Sequence, residues 1–248
     1  MKIIKYRKGS KGLYKVELED GRVLSLYEEV ILKYELLLKR EVYLEELEDI
    51  RKYNQEYEVY YVALDSIKSR FKSVYDIREF LIKKEYPLDM IDIAIEKLLK
   101  QGYLNDRSFA KSYINNQMIT TTKGPNKIKK ELLEHRVDGN IIDEELVVFE
   151  EDIQIEKIEK VAIKLFRSKH SRGGSVLKRK IVNDLIMLGY DNYLINRVVD
   201  EIDFSTDKDI LKKEYDKLYK RLCRKYSGTE LEYKIKEKLY QKGLYYED

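Results

Sequence analysis

The 248-residue chain combines 38% charged residues with a net charge of only +3, two prolines, no tryptophan, one cysteine and two histidines. Its abundance of Lys, Glu, Leu and Ile favours helices with solvated faces. The single Cys223 excludes an internal disulfide, His135 and His170 lack the cysteine partners of a structural zinc site, and no apolar run approaches a bilayer span, so disulfide, metal and membrane-spanning roles fall away.

The first residues, MKIIKYRKGSKG, contain no hydrophobic core of a signal peptide, which predicts a cytoplasmic chain. Residues 1–26 alternate apolar and polar side chains in IIKYR, LYKVELE and RVLSLY, with Asp20-Gly21 placed for a tight turn. That pattern predicts a small antiparallel β meander. From Glu28 the period becomes helical: Val30, Ile31, Tyr34 and Leu38 share one face, and Leu44, Leu47, Ile50 and Tyr57 another. Two connecting helices are expected there.

The rest of the chain repeats. An Ile-x-x-x-Leu pair recurs as Ile77 and Leu81, Ile128 and Leu132, Ile181 and Leu185, and Ile235 and Leu239, the leucines falling at intervals of 51, 53 and 54 residues. Four residues after each leucine stands Glu85, Arg136, Gly189 or Gly243, followed by apolar Tyr86, Val137, Tyr190 or Leu244, where each helix should end and turn. An apolar-periodic helix precedes each pair (Ala63, Ile67, Phe71; Phe109, Tyr113, Ile114; Ala162, Leu165, Phe166; Tyr215, Leu218, Tyr219, Leu222), and another follows the first three (Ile91, Ile95, Leu98; Ile141, Leu146, Phe149; Leu194, Val198, Val199). Ser73-x-x-Asp76, Asp89-x-x-Asp92 and Thr229-x-x-Glu232 resemble capping boxes, and Pro125 suits a first helical position. The expected fold is mainly α: an N-terminal β meander with connecting helices (1–56), three-helix modules at 57–106, 107–155 and 156–205, and a fourth at 206–248 without its third helix. Units of this size gain stability by docking on neighbours, which predicts an elongated, curved array.

Charge is segregated along these units. Arg107 to Arg136 holds seven basic residues against Glu131 and Glu134, whereas Asp138 to Glu159 holds nine acidic residues against Lys157. RSKHSRGGSVLKRK, from Arg167 to Lys180, has six cations and no acid, and its glycines suggest an open basic loop between two helices. Cations beside helix N-termini suit phosphate or carboxylate partners. The 22 tyrosines lie mostly beside Leu and Ile at helical spacing, so core packing is expected of them rather than base stacking.

The chain offers little for catalysis. Neither histidine belongs to a hydrolase or zinc-protease motif, and Arg172-Gly173-Gly174-Ser175 lacks the spacing and lysine of a P-loop. Asp143, Glu144 and Glu145 are adjacent on a helix and point in different directions, so they do not form a metal cage. Cys223 follows Leu222 on a helical face and is expected to be packed. No enzyme activity, cofactor or metal is expected.

GYLNDRSFAKSYI followed by KGPNKIKKELLEHRV resembles the central motif of the RecX family, regulators of the RecA recombinase: a Gly-Tyr-Leu-Asn-Asp turn, Phe-Ala in the next helix, then Gly-Pro and Ile-x-x-x-Leu. The N-terminal strands, SRFKSVYDIREFL and YKIKEKLYQKGLYYED look like the longer RecX proteins of low-GC Gram-positive bacteria. The resemblance implies tandem three-helix modules without catalytic activity, binding along the helical groove of RecA assembled on DNA and usually inhibiting strand exchange or promoting disassembly. Some members also contact DNA. The first unit departs from the motif in lacking Gly-Pro before its second helix, Arg136 stands where a glycine is usual, and the last module is incomplete.

Joined to the charge pattern, this predicts a monomer whose Arg107, Lys111, Lys123, Lys127 and Lys130, with Arg167, Lys169, Arg172, Lys178 and Lys180, face acidic recombinase surface or the enclosed DNA. The alternative is a helix-turn-helix type protein acting on duplex DNA directly.

Overall fold

The computed structural model describes residues 1–168, 174–204 and 208–244. It divides into two compact units, Met1–Phe109 with His135–Val137, and Ala110–Glu134 with Asp138–Asp248.

The first unit opens with β1 (Ile3–Lys8), β2 (Leu13–Leu18) and β3 (Val23–Tyr27), an antiparallel sheet in the order β1-β2-β3. Alternation buries Ile3, Val16, Leu18 and Leu26 on one face. Gly21 takes the turn at a φ of 84°, and the N–H of Leu18 donates to the Arg22 carbonyl at 2.9 Å. Both sheet edges are engaged. The outer side of β1 exchanges hydrogen bonds with the segment around Glu41: Ile3 N–H to Arg40 O and Val42 N–H to Met1 O, both 2.8 Å. Along β3 the side-chain amide of Asn54 acts as a short strand, accepting from Tyr27 N–H at 2.9 Å and donating to Ser25 O at 3.1 Å.

Helices α1 (Glu28–Lys33) and α2 (Leu36–Lys39) bury Val30, Ile31 and Leu36 against this sheet. Leu38 and Leu44, expected on apolar faces, are 82% and 71% exposed, because left-handed residues Glu35 and Arg40 bound α2 and break the helical phase. Helix α3 (Leu47–Ser69) then runs unbroken through residue 57, where the periodicity places a module boundary. Tyrosines hold its middle: Tyr61 stacks on Tyr27 at 4.8 Å and donates to Glu29, while Tyr57 meets Tyr53 and Tyr60 edge-on. Phe71 lies beyond the end of α3 and is 65% exposed, rather than on its apolar face. Helices α4 (Val74–Ile82) and α5 (Leu88–Lys100) complete a core of Ile77, Leu81, Ile91, Ile95, Leu98 and Leu104 against Val59, Ala63 and Leu64.

Next along the chain come α6 (Asp106–Thr120), α7 (Pro125–Glu134), α8 (Gly139–Leu146), α9 (Glu151–Ser168), α10 (Gly174–Met187), α11 (Asn192–Val199), α12 (Lys208–Leu222) and α13 (Gly228–Gln241). In the second unit α7 packs on α8, α9 to α11 pack mutually, and α12 packs on α13 around Leu211, Leu218, Leu231, Ile235 and Leu239. All four Ile-x-x-x-Leu pairs are buried, none more than 3% exposed. Tyr219, expected on the apolar face of α12, is 47% exposed. Cys223 is exposed too, since α12 ends at Leu222 and the chain turns there. Ser73 and Asp76 form the expected capping box on α4. The other two boxes do not form: Pro87, whose ring fixes φ, sits at the N-cap of α5, and α13 starts one residue before Thr229 with Ser227 at its N-cap.

The mainly helical fold with its N-terminal three-stranded sheet is thus the one expected from periodicity. The four helices that carry the Ile and Leu pairs end alike. Glu85, Arg136, Gly189 and Gly243 have φ of 63°, 58°, 90° and 71°. In three of these turns the next residue closes back on the repeat leucine: Tyr86 N–H to Leu81 O (3.4 Å), Tyr190 N–H to Leu185 O (3.3 Å) and Leu244 N–H to Leu239 O (3.0 Å). This is the Schellman closure, with its apolar residue folded over the helix end.

Candidate partner-binding surface

The ten predicted cations separate into distinct environments. Arg107 is exposed in the first unit, and the seven others among the described residues belong to the second. Lys111 is exposed on α6, and Lys127 and Lys130 are exposed one turn apart on α7, none with an ion-pair partner among the described residues. Lys123 is committed internally. Its ammonium lies 2.8 Å from Glu131, which also accepts from the Tyr113 hydroxyl at 2.9 Å. Arg167 is exposed at the end of α9, and Lys169 and Arg172 lie outside the described residues.

Lys178 and Lys180, expected in an open loop, stand instead on α10, which already begins at Gly174. They also have counterions: Lys178 meets Asp200 at 2.7 Å and Lys180 meets Asp184 at 3.8 Å. On the same helix Arg179 is exposed, with no ion-pair partner among the described residues.

Burial opposes ionisation of Glu131, but donation from Lys123 and Tyr113 outweighs it and leaves its pKa below the ordinary carboxylate value. A carboxyl whose folded pKa is depressed stabilises the fold above its unfolded pKa of about 4.3, and that contribution disappears as pH falls through the folded value. Glu131→Gln should therefore lower stability by about 1–2 kcal/mol at pH 7. In urea titrations the gap from wild type should close below pH 4; a gap independent of pH would show that the charge does not matter.

The repeated helix ends are joints as well as turns. In the first unit, His135 places Nδ1 2.9 Å from Oδ1 of Asp76, Phe109 meets the imidazole edge-on, and the Arg136 guanidinium lies over Tyr75. Asp106 of the Leu-Asn-Asp turn accepts Val74 N–H at 2.8 Å, capping α4, and burial raises its pKa. In the second unit, Gly124 N–H donates to Leu188 O at 2.7 Å and Asn126 N–H to Gly189 O at 3.0 Å. The carboxyl end of α10 thus feeds carbonyls to the amino end of α7, where donors are otherwise unpaired. Tyr190 adds a hydroxyl bond to Thr122 O at 3.0 Å, and its burial pushes its pKa up to about 12.

Gly243 closes on Val176 near the start of α10. Each joint therefore touches the third residue of a repeat helix: Asp76 of α4, Lys127 of α7 and Val176 of α10. In the second unit the sequence signal for this was the pairing of Gly189 and Gly243 with a helix start one repeat earlier. Nothing in the charge pattern pointed to it.

Among the described residues no three His, Cys, Asp or Glu side chains come together to hold a metal ion, and no helix is long and apolar enough to cross a membrane. Helices in repeating order, each repeat helix ending in the same left-handed turn, define a helical-repeat protein. The chain belongs to the RecX family. The family described as "RecX, second three-helix domain" matches residues 105–146. A "Regulatory protein RecX" of Listeria monocytogenes serotype 4a (strain HCC23) is 30% identical over 98% of this chain and 92% of its own, and that of Streptococcus gordonii (strain Challis) is 29% identical over 100% and 96%. Among solved structures, a regulatory protein RecX superposes with a TM-score of 0.71 at 25% identity, covering 81% of this chain and 99% of that one. RecX from Lactobacillus salivarius gives 0.56 at 26%, covering 59% and 95%.

Proposed function

We propose that this chain is a non-enzymatic cytoplasmic regulator that binds along the RecA filament on DNA and lowers recombinase activity. The observation that carries the reading is its likeness over almost the whole chain to curated proteins named regulatory protein RecX. The helical repeats support it physically. A ligand that presents equivalent helices at regular intervals can touch successive protomers of a polymer, and several weak contacts then add as avidity. Lys111, Lys127, Lys130 and Arg167 are the predicted cations left to meet an acidic recombinase surface or enclosed DNA.

The test mixes the protein with DNA alone, recombinase alone and recombinase assembled on single-stranded DNA. Tight binding only to the assembly is expected, with slowed strand exchange. Equal binding to naked duplex would favour the helix-turn-helix alternative, and magnesium-dependent turnover would favour an enzyme. Reversing Lys111, Lys127 and Lys130 to Glu should weaken filament binding at least tenfold at low salt, about 1.4 kcal/mol. It should also flatten the salt dependence, since the attractive charges are gone.

A further inference from the structure

One place on the repeat helices is apolar and exposed each time. The residue after the repeat leucine is Ile82, Leu133 or Ile186 in the first three repeats, and these side chains are 39%, 44% and 41% exposed. The leucines immediately before them, Leu81, Leu132 and Leu185, are completely buried. One residue along a helix is a rotation of about 100°, so this place lies beside the packed seam and outside the core. Scattered exposed apolar residues need no explanation, but recurrence at one register of a repeat does.

In the second unit the surroundings of this place are definite. On α7, Leu133 shares its face with Lys130 and Asn126, three and seven residues earlier. On α10, Ile186 shares its face with Asn183 and Arg179 at the same offsets. All six are exposed, and no acid occupies these positions. Lys130 and Arg179 have no ion-pair partner among the described residues. Met187, next to Ile186, adds a 76% exposed apolar side chain. The two helices meet end to end through Gly124, Asn126, Leu188 and Gly189, so the motif is presented on consecutive segments of one jointed support.

We propose that this face of α7 and α10, with Leu133 and Ile186 as anchors and Lys130 and Arg179 as flanking cations, docks on a protein polymer that offers an apolar socket beside a carboxylate in each protomer. The assignment rests on the filament reading above and names the face that touches recombinase. Charge complementarity sets the acidic rim of the partner. The aliphatic anchors set its class: a branched aliphatic side chain gains most by filling a dry protein pocket, whereas phosphate backbones offer none and unpaired bases are held by aromatic stacking. Recurrence at one register implies a partner that itself repeats.

The experiment compares wild type with the double variant Leu133→Gln/Ile186→Gln, which keeps helix-favouring residues at exposed positions, and with Lys130→Gln/Arg179→Gln. Unchanged urea midpoints establish that both variants fold as wild type. Binding is measured to recombinase assembled on single-stranded DNA and to that DNA alone, at low and high salt. The expected result is a loss of at least tenfold on the assembly for the aliphatic variant with its salt dependence retained, and a weakened salt dependence for the cation variant. The face is overturned if wild type binds the assembly and the aliphatic variant binds equally well, or if that variant loses equally on DNA alone. Wild type failing to bind the assembly would overturn the filament reading together with this one.

Discussion

Gly189→Ala is expected to destabilise the second unit by about 3–5 kcal/mol, the sum of left-handed strain, overpacking and weakened hydrogen bonds. Its φ of 90° costs an L side chain about 1–2 kcal/mol. An added methyl would stand 2.4 Å from the Lys127 backbone nitrogen and 2.6 Å from the Lys127 Cβ. Backbone cannot rotate aside as a side-chain tip can, so α10 and α7 must separate. Separation stretches the bonds from Gly124 to Leu188 and from Asn126 to Gly189. Gly102→Ala is the matched control: at a φ of 73° it carries the same strain, but nothing lies within 4 Å of the added atom. It should cost only about 1–2 kcal/mol. Urea unfolding followed by circular dichroism gives the difference, and amide hydrogen exchange at Gly124 and Asn126 locates it. Equal costs for the two substitutions would mean that the joint is not close-packed.

The same joint shows what could be read from the sequence. Glycines at positions 189 and 243, falling at the repeat interval, marked helix ends, and the repeat carried that inference to Glu85 and Arg136, where the residue type gives no hint of the left-handed backbone they adopt. Burial of the Ile and Leu pairs followed from period alone. The unbroken α3 was obscured because Tyr53, Tyr57, Tyr60 and Tyr61 are amphipathic. They spread apolar surface round the helix and blur its phase, although their rings pack and their hydroxyls find Glu29 and Gln101.

The electrostatics were less legible than the packing. A segment free of acids reads as unpaired charge, yet Lys178 finds Asp200 at the C-cap of α11, a partner that only folding brings near. Lys123 is taken up by Glu131 in the same way, across the start of α7. Local charge count therefore overstated the free cations, and Arg179, counted among them but left out of the predicted contact residues, has no such partner among the described residues. The aliphatic anchors were hidden for another reason. Leu133 and Ile186 each follow a core leucine directly, and pattern alone assigns neighbouring apolar residues to the same interior.

Leu132→Ala should cost about 2–5 kcal/mol of stability, whereas Leu133→Ala should stay within about 0.5–1 kcal/mol. The two residues share type and helix and differ in direction. Leu132 is 0% exposed in the seam with Ile128, so truncation leaves a cavity that rigid helix ends cannot collapse to fill. Leu133 is 44% exposed and loses little apolar contact when shortened. Filament affinity should order the variants the other way. Measured on the folded fraction, Leu132→Ala should bind close to wild type, because the outer face of α7 is intact, and Leu133→Ala should bind more weakly. If both lost stability equally, the seam would be misplaced; if both lost affinity in proportion to stability, binding would report only folding. A reversed order in the two measurements would separate the residue that holds the repeat together from the one that reaches its partner.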